Sequence, residues 1–354
     1  MSAMDGLEET SARAKLVYPL GEAPLGGATI EAAPGILWLR MPLPFALKWI
    51  NLYLIRDGAG WVLVDTGVAT EETRILWRAL FEGMLSGQPI TRVICTHMHP
   101  DHIGLAGWIT RKFACRLWIT RLEYVTCRML VADTGREAPQ DGVEFYRAAG
   151  WDEDTLDSYR VRFGGFGKAV SRLPDSYRRI SDGEIIQIGG EDWRVITGSG
   201  HSPEHACLLR LSDNVLISGD QVLPRISSNV SVFPTEPDGD PLSDWIASCQ
   251  KLLQEVPQTA FTLPAHNEPF LGVHARLQGL LDSHDRSLDR LEQRLREQPS
   301  RAVDCFGALF ARSIGPDLIG MASGEALAHL NCLIGRGRAV KTMGADGVAL
   351  YSAN

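Results

Sequence analysis

Short apolar runs and longer amphipathic stretches alternate along this chain of 354 residues. Short runs rich in β-branched and aromatic side chains predict strands. They lie at 35–39, 51–55, 61–64, 184–188, 193–196, 206–209 and 215–217. Between the two groups, residues from about 71 to 85 place Ile75, Leu76, Leu80 and Met84 at helical spacing. The pattern therefore predicts two β-rich stretches separated by helices.

The last part of the chain changes to a helical pattern. Leucines at helical spacing run from about 274 to 298 and stop before Pro299, which cannot continue a helix. Further helices are predicted near 300–312 and 323–334. Strand-like segments on either side of Ala345-Asp346-Gly347 then predict a hairpin.

The densest group of polar residues follows a strand-like run at 92–96. It is the segment His97-Met98-His99-Pro100-Asp101-His102, which has three imidazoles and one carboxylate within six positions. Neutral imidazole and carboxylate suit a divalent ion of borderline hardness. The spacing therefore indicates a metal site on a loop at the end of a buried strand, and this segment alone is compatible with one ion or with two.

Other histidines and aspartates stand in short motifs before and after this segment. They are Asp65 in Asp65-Thr66-Gly67, His201 in Gly200-His201-Ser202-Pro203-Glu204-His205, Asp220 in Ser218-Gly219-Asp220, and His266 in Pro264-Ala265-His266. In this order, the motifs resemble those of the metallo-β-lactamase-fold hydrolase superfamily over roughly residues 30 to 285.

The resemblance implies a fold and a metal site. The implied fold class is α+β, a four-layer αββα sandwich with the metals at one edge between its sheets. Two divalent ions are implied, most simply zinc, with iron or manganese as alternatives. Carried over by position, one ion would be held by His97, His99 and His201, the other by Asp101, His102 and His266, with Asp220 bridging the pair.

The implied nucleophile is a metal-bound hydroxide, because coordination lowers the pKa of water from about 15.7 toward 7. Asp101 is expected to be a ligand first and a catalytic base second.

The predicted domain organisation has three parts. Residues 1–30 form a loose lead-in, 31–285 a catalytic domain, and 286–354 a C-terminal domain. Within the catalytic domain, residues 121–180 are predicted to be a helical insertion over the site. The C-terminal helices and hairpin resemble the winged-helix appendage of one branch of the superfamily, with the whole chain similar to the glyoxalase II-like branch.

Several residues near the motifs keep two interpretations. Asp65 is either a turn aspartate before Gly67 or a partner that orients a ligand loop or a metal-bound imidazole. His205 could donate toward the site or cap the following strand. The aromatic side chains of 121–180 either line a substrate pocket or pack the insertion onto the domain. A last group, Arg225, Ser228 and Asn229, could contact a polar substrate group.

Composition and charge narrow the function. The net charge of −8 argues against a broad nucleic-acid-binding surface, and the candidate recognition helix at 323–334 contains no Lys or Arg. The seven scattered cysteines form no C-x-x-C pair and are expected to be buried in a reducing compartment. Neither a secretory signal nor a membrane-spanning stretch is recognisable, so a cytoplasmic location is expected.

The expected function is therefore metal-dependent hydrolysis of an activated acyl carbon in a small-molecule thioester, lactone or other ester. The chain has no H-E-x-x-H helix, no G-x-S-x-G elbow and no complete P-loop. The alternative is a metal-dependent ribonuclease or phosphodiesterase whose winged-helix tail binds nucleic acid, and a β-lactamase ranks lower. The tail could otherwise serve packing or a homodimer contact.

Overall fold

Two β-sheets lie face to face at the centre of the protein. The computed structural model describes residues 16–44 and 46–354. Within them, the first sheet has seven strands whose spatial order follows the chain. They are β1 (Thr29–Ala33), β2 (Ile36–Pro42), β3 (Trp49–Asp57), β4 (Gly60–Val64), β5 (Ile90–Ile94), β6 (Arg116–Ile119) and β7 (Arg178–Arg179). The strands from β1 to β4 pair antiparallel, and those from β4 to β7 pair parallel.

The second sheet has six strands among the described residues. They are β8 (Ile185–Ile188), β9 (Glu191–Gly198), β10 (His205–Arg210), β11 (Val215–Gly219), β12 (Phe261–Pro264) and β13 (Phe270–Leu271). Their spatial order is β13-β12-β11-β10-β9-β8, and only the β11–β12 pair in this sheet of the described chain is parallel.

Helices cover both outer faces of the pair of sheets. Those on the side of the first sheet are α1 (Glu71–Glu82), α2 (Pro100–Ile103), α3 (Ala106–Phe113) and α4 (Arg121–Ala132). The next two, α5 (Gln140–Ala148) and α6 (Glu153–Arg162), pack instead into the apolar cluster of the second sheet and the C-terminal helices. Those that follow the second sheet's strands are α7 (Pro241–Glu255), α8 (Val273–Glu297), α9 (Phe306–Leu309) and α10 (Ile319–Gly335), before the hairpin β14 (Ala339–Met343) and β15 (Ala349–Ala353).

Alternation along the strands explains the layers. In β3, Tyr53 belongs to the apolar cluster between the sheets, whereas its neighbour Leu54 packs with the helices on the outer face. In β10, Leu208 faces the other sheet and Cys207 faces the α7 and α8 side. Successive side chains of a strand point to opposite faces, so strands that are apolar at every position can be buried on both. The αββα sandwich is thus confirmed.

Helix α1 is confirmed, but only two of its four predicted apolar positions, Leu76 and Leu80, pack against the core. Ile75 and Met84 are 56% and 40% exposed, whereas Trp77 and Phe81 are buried. The Trp77 indole donates to the Thr66 carbonyl at 2.9 Å and its ring stacks on Phe81 with centroids 5.2 Å apart. Burial of these two large rings and the indole bond sets the rotation of the helix, a contribution that aliphatic spacing does not reveal.

The insertion at 121–180 is largely helical as predicted, and its aromatic side chains serve packing. Tyr146 stacks on Trp151 with ring centroids 4.2 Å apart and lies 4.9 Å from Tyr159. The Trp151 indole donates to the Ser323 hydroxyl of α10 at 2.8 Å. Of the two interpretations offered for these aromatics, attachment of the insertion to the rest of the protein is the one observed for this group.

The C-terminal region shares its core with the second sheet. Helix α10 begins at Ile319, earlier than predicted, and all of 322–330 is buried. The helix predicted near 300–312 is instead a 3-10 turn at Ala302–Cys305 followed by the short α9, because the chain becomes extended at Phe310. The hairpin is confirmed. A predicted domain boundary at 285/286 falls inside α8, and one apolar cluster joins Trp245 before it to Leu327 after it.

Three smaller expectations can be compared with the structure. Of the predicted lead-in 1–30, residues 1–15 lie outside the described part, and Val17 pairs with Leu271 through two backbone hydrogen bonds of 3.1 and 2.8 Å. The seven cysteines are unpaired, six of them buried and Cys115 partly exposed. Over the described ranges, no helix combines the length and apolar character needed to cross a bilayer.

Candidate metal centre

Parallel strand pairs in both sheets deliver the polar motifs to one edge. Asp65 follows β4, the His97–His102 segment follows β5, Asp220 follows β11 and His266 follows β12. The carboxyl ends of parallel neighbouring strands lie side by side. At this edge the two sheets are joined by a backbone hydrogen bond of 2.8 Å, which the Ala206 N–H donates to the Thr96 carbonyl. The site therefore sits on loops held at both ends by buried strands.

The seven residues proposed as ligands from the sequence are brought together. Their candidate ligand atoms fall into three groups whose members lie within 4.8 Å of one another. The groups are His97, His99 and His201; His97, His102 and Asp220; and Asp101, His102 and His266.

The His97–His102 segment is not the irregular loop that the sequence suggested. Strand β5 ends at Ile94, two residues before the predicted end, and Pro100 begins the single helical turn α2. Proline at the first helical position has no N–H to leave unpaired. Asp101 and His102 thus lie on a helical turn, while His97 and His99 precede it.

Three imidazole nitrogens converge in the first group. The His97 Nε2 and His99 Nδ1 atoms are 2.8 Å apart, and His99 Nδ1 is 3.1 Å from His201 Nε2. Burial and the neighbouring imidazoles hold the pKa of His97 well below its usual range. Burial, with His201, lowers the pKa of His99 to about 3. Neutral rings whose nitrogens converge in this way are suited to share a cation.

Carboxylates dominate the other side of the centre. The Nε2 atom of His266 lies 3.4 Å from Asp101 Oδ2 and 3.5 Å from Asp220 Oδ1. Burial alone would raise the pKa of Asp101, but His102 and His266 outweigh it and lower that pKa to about 2. For His102 the directions are reversed. Burial alone would lower its pKa, but the carboxylates of Asp65, Asp101 and Asp220 outweigh burial and raise it.

Asp220 lies between the two sets of histidines. Its Oδ2 atom is 3.4 Å from His201 Nε2, and its Oδ1 atom is 3.5 Å from both His102 Nε2 and His266 Nε2. Within the described residues, the buried His102 Nε2 and Asp220 Oδ1 have no hydrogen-bond partner. Buried polar atoms are normally satisfied, so these two fit the binding of a divalent ion between them.

The far nitrogens of the histidines are held by acceptors. His102 Nδ1 lies 2.8 Å from Asp65 Oδ2, His201 Nδ1 lies 2.7 Å from the Asn229 carbonyl, and His266 Nδ1 lies 3.0 Å from the Trp49 carbonyl. A proton on each of these nitrogens leaves Nε2 free as a ligand.

Asp65 makes the contacts expected of a residue that orients a ligand loop and a metal-bound imidazole, the second of its two interpretations. It accepts from the backbone N–H and the hydroxyl of Thr96, both at 2.8 Å, in addition to its contact with His102. The Thr96 oxygen lies 3.1 Å from His97 Nδ1. Asp65 therefore holds one imidazole directly and a second through Thr96.

His205 has a contact that neither sequence interpretation included. Its Nε2 atom accepts a 3.0 Å hydrogen bond from the backbone N–H of Asp220. Burial holds its pKa well below the usual range, so the ring is a neutral acceptor at pH 7. A Cβ at Gly219 would lie 2.5 Å from the same nitrogen, which explains the glycine before Asp220.

Sequence reasoning missed Glu123, a buried carboxylate of α4. It accepts from the Met98 N–H at 2.9 Å, and from the Ser202 hydroxyl and the Glu204 N–H at 2.7 Å each. Burial raises its pKa despite these bonds. Glu123 thus joins the two loops that carry His97–His102 and His201. Its place next to Tyr124 on the buried face of α4 is the signal that could have identified it.

The segment after Asp220 contacts the centre mainly through backbone atoms. The Ser228 hydroxyl donates to the Asp220 carbonyl, and Asn229 supplies the carbonyl that accepts from His201. Arg225 instead forms an ion pair with Glu268 at 2.9 Å and lies over the Tyr18 ring at 4.5 Å.

Comparison with known proteins identifies two matching family models. The model described as Metallo-beta-lactamase superfamily matches residues 50–266. The model described as Metallo-beta-lactamase-like, C-terminal domain matches residues 288–354.

Individual proteins are similar over most of the chain. A Bacillus subtilis protein named "Probable metallo-hydrolase YqjP" is 26% identical over 84% of this chain and 92% of its own length. An atrochrysone carboxyl ACP thioesterase from Aspergillus fumigatus is 26% identical over 72% of this chain, which corresponds to only 46% of that protein. The crystal structure of a beta-lactamase domain protein from Burkholderia ambifaria has 39% identity and a TM-score of 0.88, and it covers 97% of this chain and 99% of that one.

Proposed function

Because this chain belongs to the metallo-β-lactamase superfamily, we propose that it is a dinuclear, zinc-dependent hydrolase of activated acyl bonds. The proposed ligands are the seven residues assigned from the sequence. Among thioesters, lactones and other esters, we favour a thioester, since thioesterases are among the relatives similar to this chain.

The contacts of Asp220 carry this proposal. Its two oxygens face different histidines, His201 on one side and His102 with His266 on the other. A carboxylate placed in this way can bridge two cations at the roughly 3.5–4 Å separation of two-metal sites. A single ion on either side would use only one of these two oxygens as a ligand.

Bound divalent ions would supply a lowered pKa for water and polarisation of the acyl oxygen. Proton transfer is assigned to a side chain of the protein, Asp101. The Asp101 carboxylate is 16% exposed, and its pKa of about 2 keeps it ionised at neutral pH. Asp101 Oδ2 can accept a proton from the attacking water and pass it to the leaving thiol or alcohol.

The ribonuclease alternative loses its main support. It would use α10 to contact nucleic acid, but 322–330 of this helix is buried against the rest of the protein. A helix that reads a groove must present its side chains to the bases. We therefore do not propose this activity.

Metal analysis with a substrate panel tests the proposal. We expect two ions per chain and hydrolysis of a thioester, with activity lost to a chelator and restored by zinc. The panel includes a lactone, a β-lactam and a phosphodiester. One ion per fully active chain would contradict the dinuclear site, and preference for the phosphodiester would contradict acyl hydrolysis.

Replacement of Asp101 tests its assigned role. Asp101→Asn should lower kcat by about 10²–10⁴-fold, since the amide cannot accept the proton. The variant should keep its circular dichroism spectrum. Asp175→Asn, at a carboxylate that is 73% exposed, is the matched control and should keep full activity. Retained activity in Asp101→Asn would remove the base assignment.

A further inference from the structure

A cavity of about 90 Å³ lies beside His266. This is several times the roughly 10–15 Å³ that one water needs. Besides His266 itself, its polar lining comes from Arg40, Asn51, Asn267 and Glu268, and Trp49 forms part of its wall. None of these other residues belongs to the proposed ligand set. The cavity is therefore large enough for a small polar group next to the candidate metal centre.

Arg40 is the cation of this cavity. Its guanidinium lies over the Trp49 ring, 5.0 Å from the centroid, within the range of a cation–π contact. Within residues 16–44 and 46–354, no carboxylate lies within 4.0 Å of its nitrogens. Burial lowers the pKa of Arg40, with Glu268 acting in the opposite direction. The edge of the guanidinium thus has hydrogen-bond donors to offer.

The only acidic side chain in the lining of this described cavity is already paired. Glu268 accepts from Arg225 at 2.9 Å, and the Arg225 ring contact with Tyr18 keeps it there. Arg225 itself lies outside the lining, so its ion pair occupies Glu268 and leaves Arg40 as the lining cation without an ion pair among the described residues.

Asn267 adds a second polar contact to the lining. Its backbone adopts a left-handed conformation, φ 65°, and its carbonyl accepts from the Asn51 amide at 2.5 Å. Asn51 also donates to the Pro264 carbonyl at 2.9 Å, which anchors it. The Asn267 Oδ1 atom is buried and has no hydrogen-bond partner among the described residues. A buried amide oxygen of this kind needs a hydrogen-bond donor, such as a water or a hydroxyl that accompanies the substrate, so the contact to an anion itself comes from Arg40.

We propose that this cavity is a subsite for an anionic oxygen group of the substrate, a carboxylate or a phosphate, bound by Arg40. Guanidinium groups pair with both through two parallel N–H···O bonds, which adds orientation to affinity. This inference rests on the proposed function and adds a substrate class to it. The anion can belong to the acyl part or to the thiol carrier.

Three thioesters distinguish these two sources. Butyryl-N-acetylcysteamine is neutral, glutaryl-N-acetylcysteamine has a carboxylate on the acyl side, and butyryl-phosphopantetheine has a phosphate on the carrier side. In Arg40→Met, kcat/KM for one anionic thioester should fall at least tenfold relative to the neutral one, mainly through KM. The affected substrate identifies the source, and Arg40→Lys should recover part of the loss as a point charge.

A matched arginine in the same sheet provides the control. The Arg56 guanidinium lies over the Trp61 ring at 3.9 Å. Trp61 is near the start of β4, whereas Asp65 and the metal centre are at the opposite end of that strand. Arg56→Met should leave the ratio of anionic to neutral kcat/KM unchanged. Equal losses for all three substrates in Arg40→Met, or no loss for any, would overturn the subsite.

Direct binding separates failure of the subsite from failure of the proposed function. Glutarate and inorganic phosphate are titrated into metal-loaded protein by calorimetry. At least one should bind tenfold more weakly to Arg40→Met than to wild type and Arg56→Met. Equal affinities would overturn the subsite even if no thioester is cleaved. Absence of thioester hydrolysis by wild type, with this Arg40 effect intact, would reject only the thioesterase.

Discussion

Each histidine of the candidate metal centre has two ring nitrogens, and its neighbours decide which one faces the centre. His102, His201 and His266 have Nδ1 against an oxygen of Asp65, Asn229 or Trp49. A neutral imidazole has only one proton, so a proton on Nδ1 leaves Nε2 as a lone pair. The ligand set therefore depends on these oxygens as much as on the histidines.

The substitution Asp65→Asn tests this dependence at the residue scale. Asn adopts the left-handed conformation of residue 65, φ 60°, at least as readily as Asp, so backbone strain is not introduced. Its amide nitrogen cannot accept from His102 and Thr96. We expect metal affinity to fall about 10–100-fold, measured by competition with a chelator. An unchanged affinity in a folded variant would show that Asp65 serves only the turn.

At the element scale, α10 is connected to the metal centre through one loop. The backbone N–H of Val232 donates to the Gly324 carbonyl at 3.1 Å, and the Asn229 amide donates to Glu325 at 2.8 Å. Asn229 in turn holds His201. The C-terminal helix therefore supports a proposed metal ligand from a position more than 100 residues further along the chain.

Two glycines of α10 test how closely the helix must approach this loop. A Cβ at Gly324 would lie 2.7 Å from the Ser231 Cβ, whereas one at Gly320 would meet its nearest atom at 4.0 Å. We expect Gly324→Ala to lower the free energy of unfolding by about 1–3 kcal/mol and to weaken metal binding. Gly320→Ala should be neutral or slightly stabilising, since alanine favours helix. If urea titrations gave the same change in the free energy of unfolding for both substitutions, close packing at Gly324 would be contradicted.

At the scale of the whole molecule, the two sheets are also joined far from the metal centre. Asp57, at the end of β3, accepts from Arg92 at 2.8 Å and from Thr91 at 2.7 Å within the first sheet. Its other oxygen accepts from the Gly189 N–H at 3.1 Å, in the turn between β8 and β9 of the second sheet. One carboxylate therefore bonds to both sheets.

The pH dependence of stability tests this junction. Burial alone would raise the pKa of Asp57, but the bonds from Arg92, Thr91 and Gly189 outweigh it and lower that pKa below 3.8. A lowered carboxyl pKa stabilises the fold above about pH 3.8, and this contribution disappears as the pH falls through the folded-state pKa. Asp57→Asn should therefore cost about 1–2 kcal/mol at pH 7 and progressively less below about pH 3.8, by urea unfolding. A pH-independent difference would contradict the assignment, and Asp175→Asn serves as the exposed control.

Local order in the sequence was enough to predict most elements and the proposed ligands. Strand runs and helical spacing depend on neighbouring residues, and the motifs at His97–His102, His201, Asp220 and His266 are short. The rotation of α1, the burial of α10 and the contacts of Glu123 were not predictable in this way. For α10 and Glu123 the deciding contacts are distant in sequence, such as Trp151 with Ser323, 172 residues apart, and Ser202 with Glu123, 79 apart.

The sequence by itself determined the residue types that could bind a metal and the strands that would carry them. Only the tertiary structure decided that the two oxygens of Asp220 face different histidines, and that Arg40 stands beside His266 over Trp49. The physical reason is that ligand chemistry belongs to individual side chains. Convergence and orientation, in contrast, depend on how two sheets pack and which backbone carbonyls they bring to the same edge.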